Sequence, residues 1–240
     1  MVHGSPAWSF LYRHFIKGLW ADHRCTAPDH IGFGLSDKPY NWPYRPEDHA
    51  RNLRALMDQL ELRDITLVVQ DWGGPIGLSY AVPKPENVRN LVIMNTWMWP
   101  VDNDWYDRPF SGFMGGPLGR FLIKRFSFFV DGLMKMATGD RSKLSGAVHQ
   151  HYVQPLANPA DRKGCWVVPK EMIASTDWLR GLWEQRERIS DKPALDLILS
   201  WVGHHFGSMG HEKGHLSARM GHTGAPTDTS LTAVGGMVKQ

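Results

Sequence analysis

Val68-Val69-Gln70-Asp71-Trp72-Gly73-Gly74 is the stretch on which the fold turns. The residues before it, Asp64-Ile65-Thr66-Leu67-Val68-Val69, are β-branched and nearly all apolar, as in a parallel strand buried on both faces. The residues after it, Gly73 to Val82, read as a helix. Two glycines in succession remove side chains where a strand must turn abruptly into a helix. This is the layout of a nucleophile elbow, with Asp71 where G-x-S-x-G places serine. Such a turn exposes its central side chain beside a helix N-terminus, whose dipole favours an anion. An Asp before a helix can also be a plain cap. The full strand–Asp–Trp–Gly–Gly setting favours a functional role.

Working outward, strand and helix signals alternate, as expected of an α/β sheet with crossover helices. Arg24 to Pro28 is a short strand candidate. Pro46 to Leu60 is an amphipathic helix, with Ala50, Leu53, Leu56, Met57 and Leu60 at helical spacing and Pro46 in its first turn. Arg89 to Met94 is a second buried strand. From Thr96 the chain becomes rich in aromatics, Gly and Pro, with helical stretches at Gly119–Met136 and Asp177–Arg188. Residues 1–96 are therefore expected to form a core, 97–190 a helical lid inserted after a strand, and 191–202 a further core strand. Residues 203–240 are biased toward Gly, His, Ser and Thr without a periodic apolar face, so a poorly ordered tail is expected.

Composition bounds the function. With 240 residues and 42% hydrophobic content, the chain is long enough for one large core. A net charge of +3 is too small to argue for nucleic acid. No apolar run reaches the roughly 18 residues of a membrane helix, and the start lacks the regions of a signal peptide. Cys25 and Cys165 make no disulfide framework, which suits a reducing, cytoplasmic setting. His211-Glu212-Lys213-Gly214-His215 fits H-E-x-x-H. The surrounding glycines oppose the helix that a zinc site of this type needs, so no metal is expected. Arg120, Lys124 and Arg125 read as a solvated helix face.

A second segment, Val2-His3-Gly4-Ser5-Pro6-Ala7-Trp8, is a His-Gly turn able to aim a backbone N–H at a reaction centre. A third, Ala27-Pro28-Asp29-His30-Ile31-Gly32-Phe33-Gly34, shapes a loop. Together with the elbow and the strand end Met94-Asn95-Thr96-Trp97, these segments resemble the haloalkane dehalogenases of the α/β-hydrolase fold, over about residues 1–195. The resemblance implies an α/β-hydrolase core with a mostly parallel sheet and a helical lid. It implies hydrolysis of haloalkanes to alcohol and halide through an alkyl ester on Asp71, with water as co-substrate and no cofactor. The Trp72 ring N–H corresponds to a halide donor, and the backbone N–H groups of Ser5 and Trp72 to the oxyanion hole.

The sequence departs from that family in three places. Ser5 replaces the usual Asn or Glu, leaving the second halide donor open among Trp97, Trp99 and Trp105. Asn95 stands where one subfamily keeps a catalytic Glu, and Asp196 falls inside an apolar run. After Leu195 neither the family's acid nor its histidine base is matched, although Gly-His pairs occur at 203–204, 210–211, 214–215 and 221–222. A gene truncated at both ends, with the reading frame lost near residue 195, would account for this and would impair turnover. The rival readings are an epoxide hydrolase using Tyr106 and Tyr152, another Asp-nucleophile hydrolase, or a non-catalytic remnant.

Overall fold

The computed structural model describes residues 1–197. The expected tail, its Gly-His pairs, the H-E-x-x-H segment and residues 198–202 lie outside the described residues.

The chain enters through a 3-10 turn at Ser9–Tyr12 and helix α1 (Arg13–Leu19), then reaches α2 (Pro46–Gln59). Strand β1 (Ile65–Gln70), helix α3 (Gly73–Ala81) and strand β2 (Val88–Met94) form one right-sized crossover unit. Six helices follow: α4 (Asp107–Gly115), α5 (Pro117–Phe126), α6 (Met134–Ala137), α7 (Gly146–Val153), α8 (Gly164–Ala174) and α9 (Thr176–Glu184). Strand β3 (Ala194–Leu197) then returns to the sheet.

All pairings are parallel, in the order β1-β2-β3, with Leu67 opposite Leu91 and Leu91 opposite Ala194. On the free side of β1, Val2 makes a parallel bridge to Val69. Its N–H donates to the Val68 carbonyl at 2.7 Å, and its carbonyl accepts from the Gln70 N–H at 3.2 Å. The His-Gly segment is thereby sewn beside the elbow strand.

The strand period of two sends alternate side chains to opposite faces. Leu67, Val69, Leu91 and Ile93 join the large core with α2 and α3, through Leu53, Met57, Ile76 and Leu78. Val68 and Met94 face the other way, onto Tyr12 of the 3-10 turn and Phe15 and Ile16 of α1. Both faces are covered, which is why the strands carry no polar alternation. Each such side chain contributes roughly 1.5–3 kcal/mol on burial.

The elbow strand, its helix, α2 and β2 lie within one or two residues of the sequence-based expectations. Two expectations need correction. Arg24–Pro28 forms no strand; its contact with the chain start is a single bond from the Met1 amino group to the Thr26 carbonyl at 2.7 Å. The continuous helix expected over 119–136 is broken at Ser127, whose φ of 53° is left-handed. The buried Arg162 guanidinium there takes the carbonyls of Ile123 and Lys124. The Ile123 carbonyl keeps its helical bond from the Ser127 N–H, and the Arg162 guanidinium, 2.7 Å from the Lys124 oxygen, satisfies the carbonyl that a continuing helix would have bonded itself. A π-helical turn at Phe128–Leu133 resumes the path.

Candidate active site

Asp71 sits immediately after β1 and two residues before α3, at a left-handed φ of 51°. A non-glycine residue held there is strained by roughly 1–2 kcal/mol, and the surroundings hold it from three sides. Its N–H donates to the Asn95 carbonyl at 3.1 Å. Its carbonyl accepts from the Gly74 N–H at 2.9 Å and from the Thr96 hydroxyl at 2.5 Å. The glycine pair is required because a Cβ on Gly73 would strike the Val2 carbonyl, and one on Gly74 the Thr96 hydroxyl. Gly4 is required for the same reason: a Cβ there would collide with the Asp71 carboxylate.

The carboxylate itself accepts from the Ser5 N–H at Oδ1, 2.9 Å away. The backbone N–H of Trp72 also bonds it. Burial pushes the Asp71 carboxyl up to about 6, against the opposing pull of the two N–H donors. The residue as a whole keeps partial accessibility, while its carboxyl group is buried. Tyr12, which sequence reading passed over, lies close enough to feel this charge. Its hydroxyl donates to the Val2 carbonyl at 2.7 Å, and burial first, then Asp71, holds it protonated.

The Trp72 ring is buried and packs edge-to-face on Trp97, centroids 5.0 Å apart. The Trp97 indole nitrogen and the Ser5 hydroxyl are both buried without a hydrogen-bond partner among the described residues. A buried donor left unpaired costs about 1–3 kcal/mol, so both are conspicuous beside a carboxylate. Of the three tryptophans left open as a second donor, Trp105 is corrected: it is 84% exposed and stands away from the core. Trp99 is buried against Trp183, 5.7 Å between centroids. The structure thus brings Asp71, Trp72, Ser5 and Trp97 together.

A cavity of about 10 Å³, room for about one water, is lined by Ser5, Trp72, His30, His49, Ile76 and Val168, among others. Neither Tyr106 nor Tyr152 lines it. Tyr152 packs edge-on against Phe10, and Tyr106 stacks on Phe110. The two histidines were not foreseen as neighbours of the elbow. They complete a cluster of tilted rings, His3–His30 at 4.5 Å and His30–His49 at 5.1 Å between centroids. The His30 N–H donates to His3 Nε2 at 2.9 Å. His3 Nδ1 must therefore carry the proton that it donates to the Gly4 carbonyl at 2.8 Å. Burial drives His3 down to about 4, His49 to about 3 and His30 well below its usual value. These imidazoles are neutral supports of the His-Gly turn at neutral pH. Their only local signal was His3 in the His-Gly pair; residues 3, 30 and 49 meet through tertiary folding alone.

Among the described residues no group of His, Cys, Asp and Glu is arranged to hold a metal, both cysteines are free, and no helix is long and apolar enough to cross a membrane.

Comparison with known proteins gives consistent results. The pattern of the alpha/beta hydrolase fold matches residues 1–195. Haloalkane dehalogenase 2 of Mycobacterium bovis is 39% identical over 196 residues, which are 81% of this chain and 68% of that protein. A cis-3-alkyl-4-alkyloxetan-2-one decarboxylase of Shewanella oneidensis is 38% identical over 167 residues, 68% of this chain and 52% of that one. The crystal structure of haloalkane dehalogenase DbeA from Bradyrhizobium elkani superposes with a TM-score of 0.74 at 26% identity. It covers 89% of this chain and 77% of that one.

Proposed function

We propose, on the footing that this chain belongs to the α/β-hydrolase fold family and within it to the haloalkane dehalogenases, that Asp71 is the nucleophile that displaces halide from a haloalkane. The observation that carries this reading is the Asp71 carboxylate, presented at a strained elbow with Oδ1 held by the Ser5 N–H. With Oδ1 held, attack falls to Oδ2. A C–O bond forms to the sp³ carbon, the C–halogen bond breaks, and halide leaves with the electron pair. Negative charge then moves off the carboxylate onto the halide. The Trp72 ring and the two unpaired donors, the Ser5 hydroxyl and the Trp97 N–H, are the groups available to receive it. In the second step water attacks Cγ of the ester, and the charge that grows on Oδ1 is met by the Ser5 and Trp72 N–H groups. The helices between β2 and β3 act as the lid, Val168 of α8 closing the cavity. Since that cavity has room for about one water, substrate enters when the helices part.

The second step needs a base. The buried histidines beside the cavity are held too weakly basic for that work, and among the described residues no histidine is hydrogen-bonded to Asp71. If no histidine of residues 198–240 reaches the site, the expected reaction is therefore alkylation followed by a stall. Incubation with 1-bromobutane should release about one bromide per chain and leave an adduct on Asp71, detectable by intact mass and absent in Asp71→Asn. Sustained release would place a base among residues 198–240. No release and no adduct would favour a non-catalytic remnant.

The decarboxylase relative supports a second reading with the same nucleophile and a strained lactone as substrate. Alkene and carbon dioxide in place of alcohol and halide would select it.

A further inference from the structure

Helix α5 carries an apolar and cationic face that packing among the described residues does not use. Leu118, Phe121 and Phe126 are 59%, 56% and 58% exposed on a helix of ten residues. Leu118, Phe121 and Arg125 stand at i, i+3 and i+7, hence on one side. Phe126 is drawn to that side by an edge-to-face contact with Phe121 at 5.9 Å. Arg120 and Lys124 border the face, both exposed. None of Arg120, Lys124 and Arg125 forms an ion pair among the described residues. No carboxylate occurs in sequence between Asp107 and Asp131 to provide one nearby.

The helix does not need these side chains to stay in place. Its inner side is fixed by the buried Ile123 and Gly119, and its C-terminal carbonyls by the Arg162 guanidinium, 2.7 Å from the Lys124 oxygen. Arg120 donates to the Gly115 carbonyl and Arg125 lies over the Phe126 ring, 5.4 Å from its centroid, so the cations are held by the helix surface without a carboxylate partner among the described residues. Three large apolar groups turned outward on a firmly anchored helix and rimmed by such cations have the composition of an interfacial helix. A second copy of the chain is a poor occupant, because a two-fold contact would set the three cations against themselves.

We propose that the exposed face of α5 docks onto an anionic lipid surface, with Leu118, Phe121 and Phe126 entering the headgroup–acyl boundary and Arg120, Lys124 and Arg125 pairing with lipid phosphates. This is monotopic contact at a membrane surface; it requires no spanning helix. It revises the reading of the three cations as merely solvated, and it stands whatever the reaction at Asp71.

The test uses the full chain and vesicles of phosphatidylcholine with about one third phosphatidylglycerol, read by co-sedimentation at low and at high salt. Binding should be clear at low salt, and it should fall steeply with added salt and with removal of phosphatidylglycerol. The triple variant R120Q/K124Q/R125Q changes only exposed side chains and should bind on the order of a hundredfold more weakly. F121S should also weaken binding, with an unchanged circular dichroism spectrum. Should F121S not fold, the salt and lipid series on the unaltered chain still decide. No binding to anionic vesicles, or binding indifferent to the three cations, overturns the proposal. So does concentration-dependent self-association, lost in F121S, in a chain that ignores vesicles: the face would then be a protein contact.

Discussion

Replacing Asp71 with Asn should make the protein more stable, increasingly so as the pH rises. Burial raises the folded-state pKa of this carboxyl from 3.8 to about 6. A carboxyl whose pKa is raised on folding favours the folded state only while it is protonated. That contribution is complete below the unfolded value near 3.8 and is lost as pH climbs through the folded value near 6. At pH 8 the ionised Asp71 therefore costs the fold about 3 kcal/mol relative to a neutral group. This is a ceiling, because Asp71 keeps partial solvent access. Asn is close in shape, offers an oxygen to the Ser5 N–H and carries no charge. Urea unfolding at a series of pH values measures the difference. Asp71→Asn should exceed the parent by up to about 3 kcal/mol at pH 8, equivalent to roughly 6–12 °C in Tm for a chain of this length. The gap should shrink below about 1 kcal/mol at pH 4. A gap that is constant across pH, or a variant less stable at pH 8, would refute the claim that desolvation of the carboxylate dominates this site.

The same ionisation governs chemistry with the opposite preference, since the carboxylate is the attacking form. The rate of bromide release should fall about tenfold per pH unit below a midpoint near 6, measured in single-turnover reactions. Trp97→Phe keeps a ring against Trp72 and removes the unpaired N–H. Stability should hold or rise by about 1 kcal/mol, while bromide release slows on the order of tenfold; an unchanged rate would remove Trp97 from the halide site. Gly4→Ala places a methyl group against the Asp71 carboxylate. The adduct should disappear while far-ultraviolet circular dichroism is retained, and an adduct formed at the parental rate would show that the His-Gly turn yields more freely than its contacts imply.

Much of the architecture was legible along the chain because it is written in local terms. The apolar run before Asp71 specifies a strand buried on both faces, the double glycine a crowded turn, and the spacing of Leu53, Leu56 and Met57 a helix against it. Each depends on neighbours a few residues apart, so periodicity and backbone sterics suffice. The same reading placed a strand at Arg24–Pro28, where a short run of residues has no partner strand among the described residues to complete a ladder. It ran a helix through Ser127, where the competing hydrogen bonds come from Arg162, 35 positions further on in the chain.

The identity of the candidate nucleophile was set by sequence alone, since only Asp71 occupies the elbow. Its environment was decided by the tertiary structure. The Ser5 N–H reaches Oδ1 because Val2 bridges to Val69, 67 positions further along the chain. His3, His30 and His49 meet because three separate segments converge, and their burial, which no spacing rule encodes, strips them of basicity. Trp97 and Trp105 are the same residue type eight positions apart, yet one is sealed against Trp72 and the other stands in solvent. Residue type and local period determine which groups can do chemistry and where the backbone turns. Which of them meet, and with what charge, follows from long-range packing and desolvation, which exist only once the chain has closed on itself.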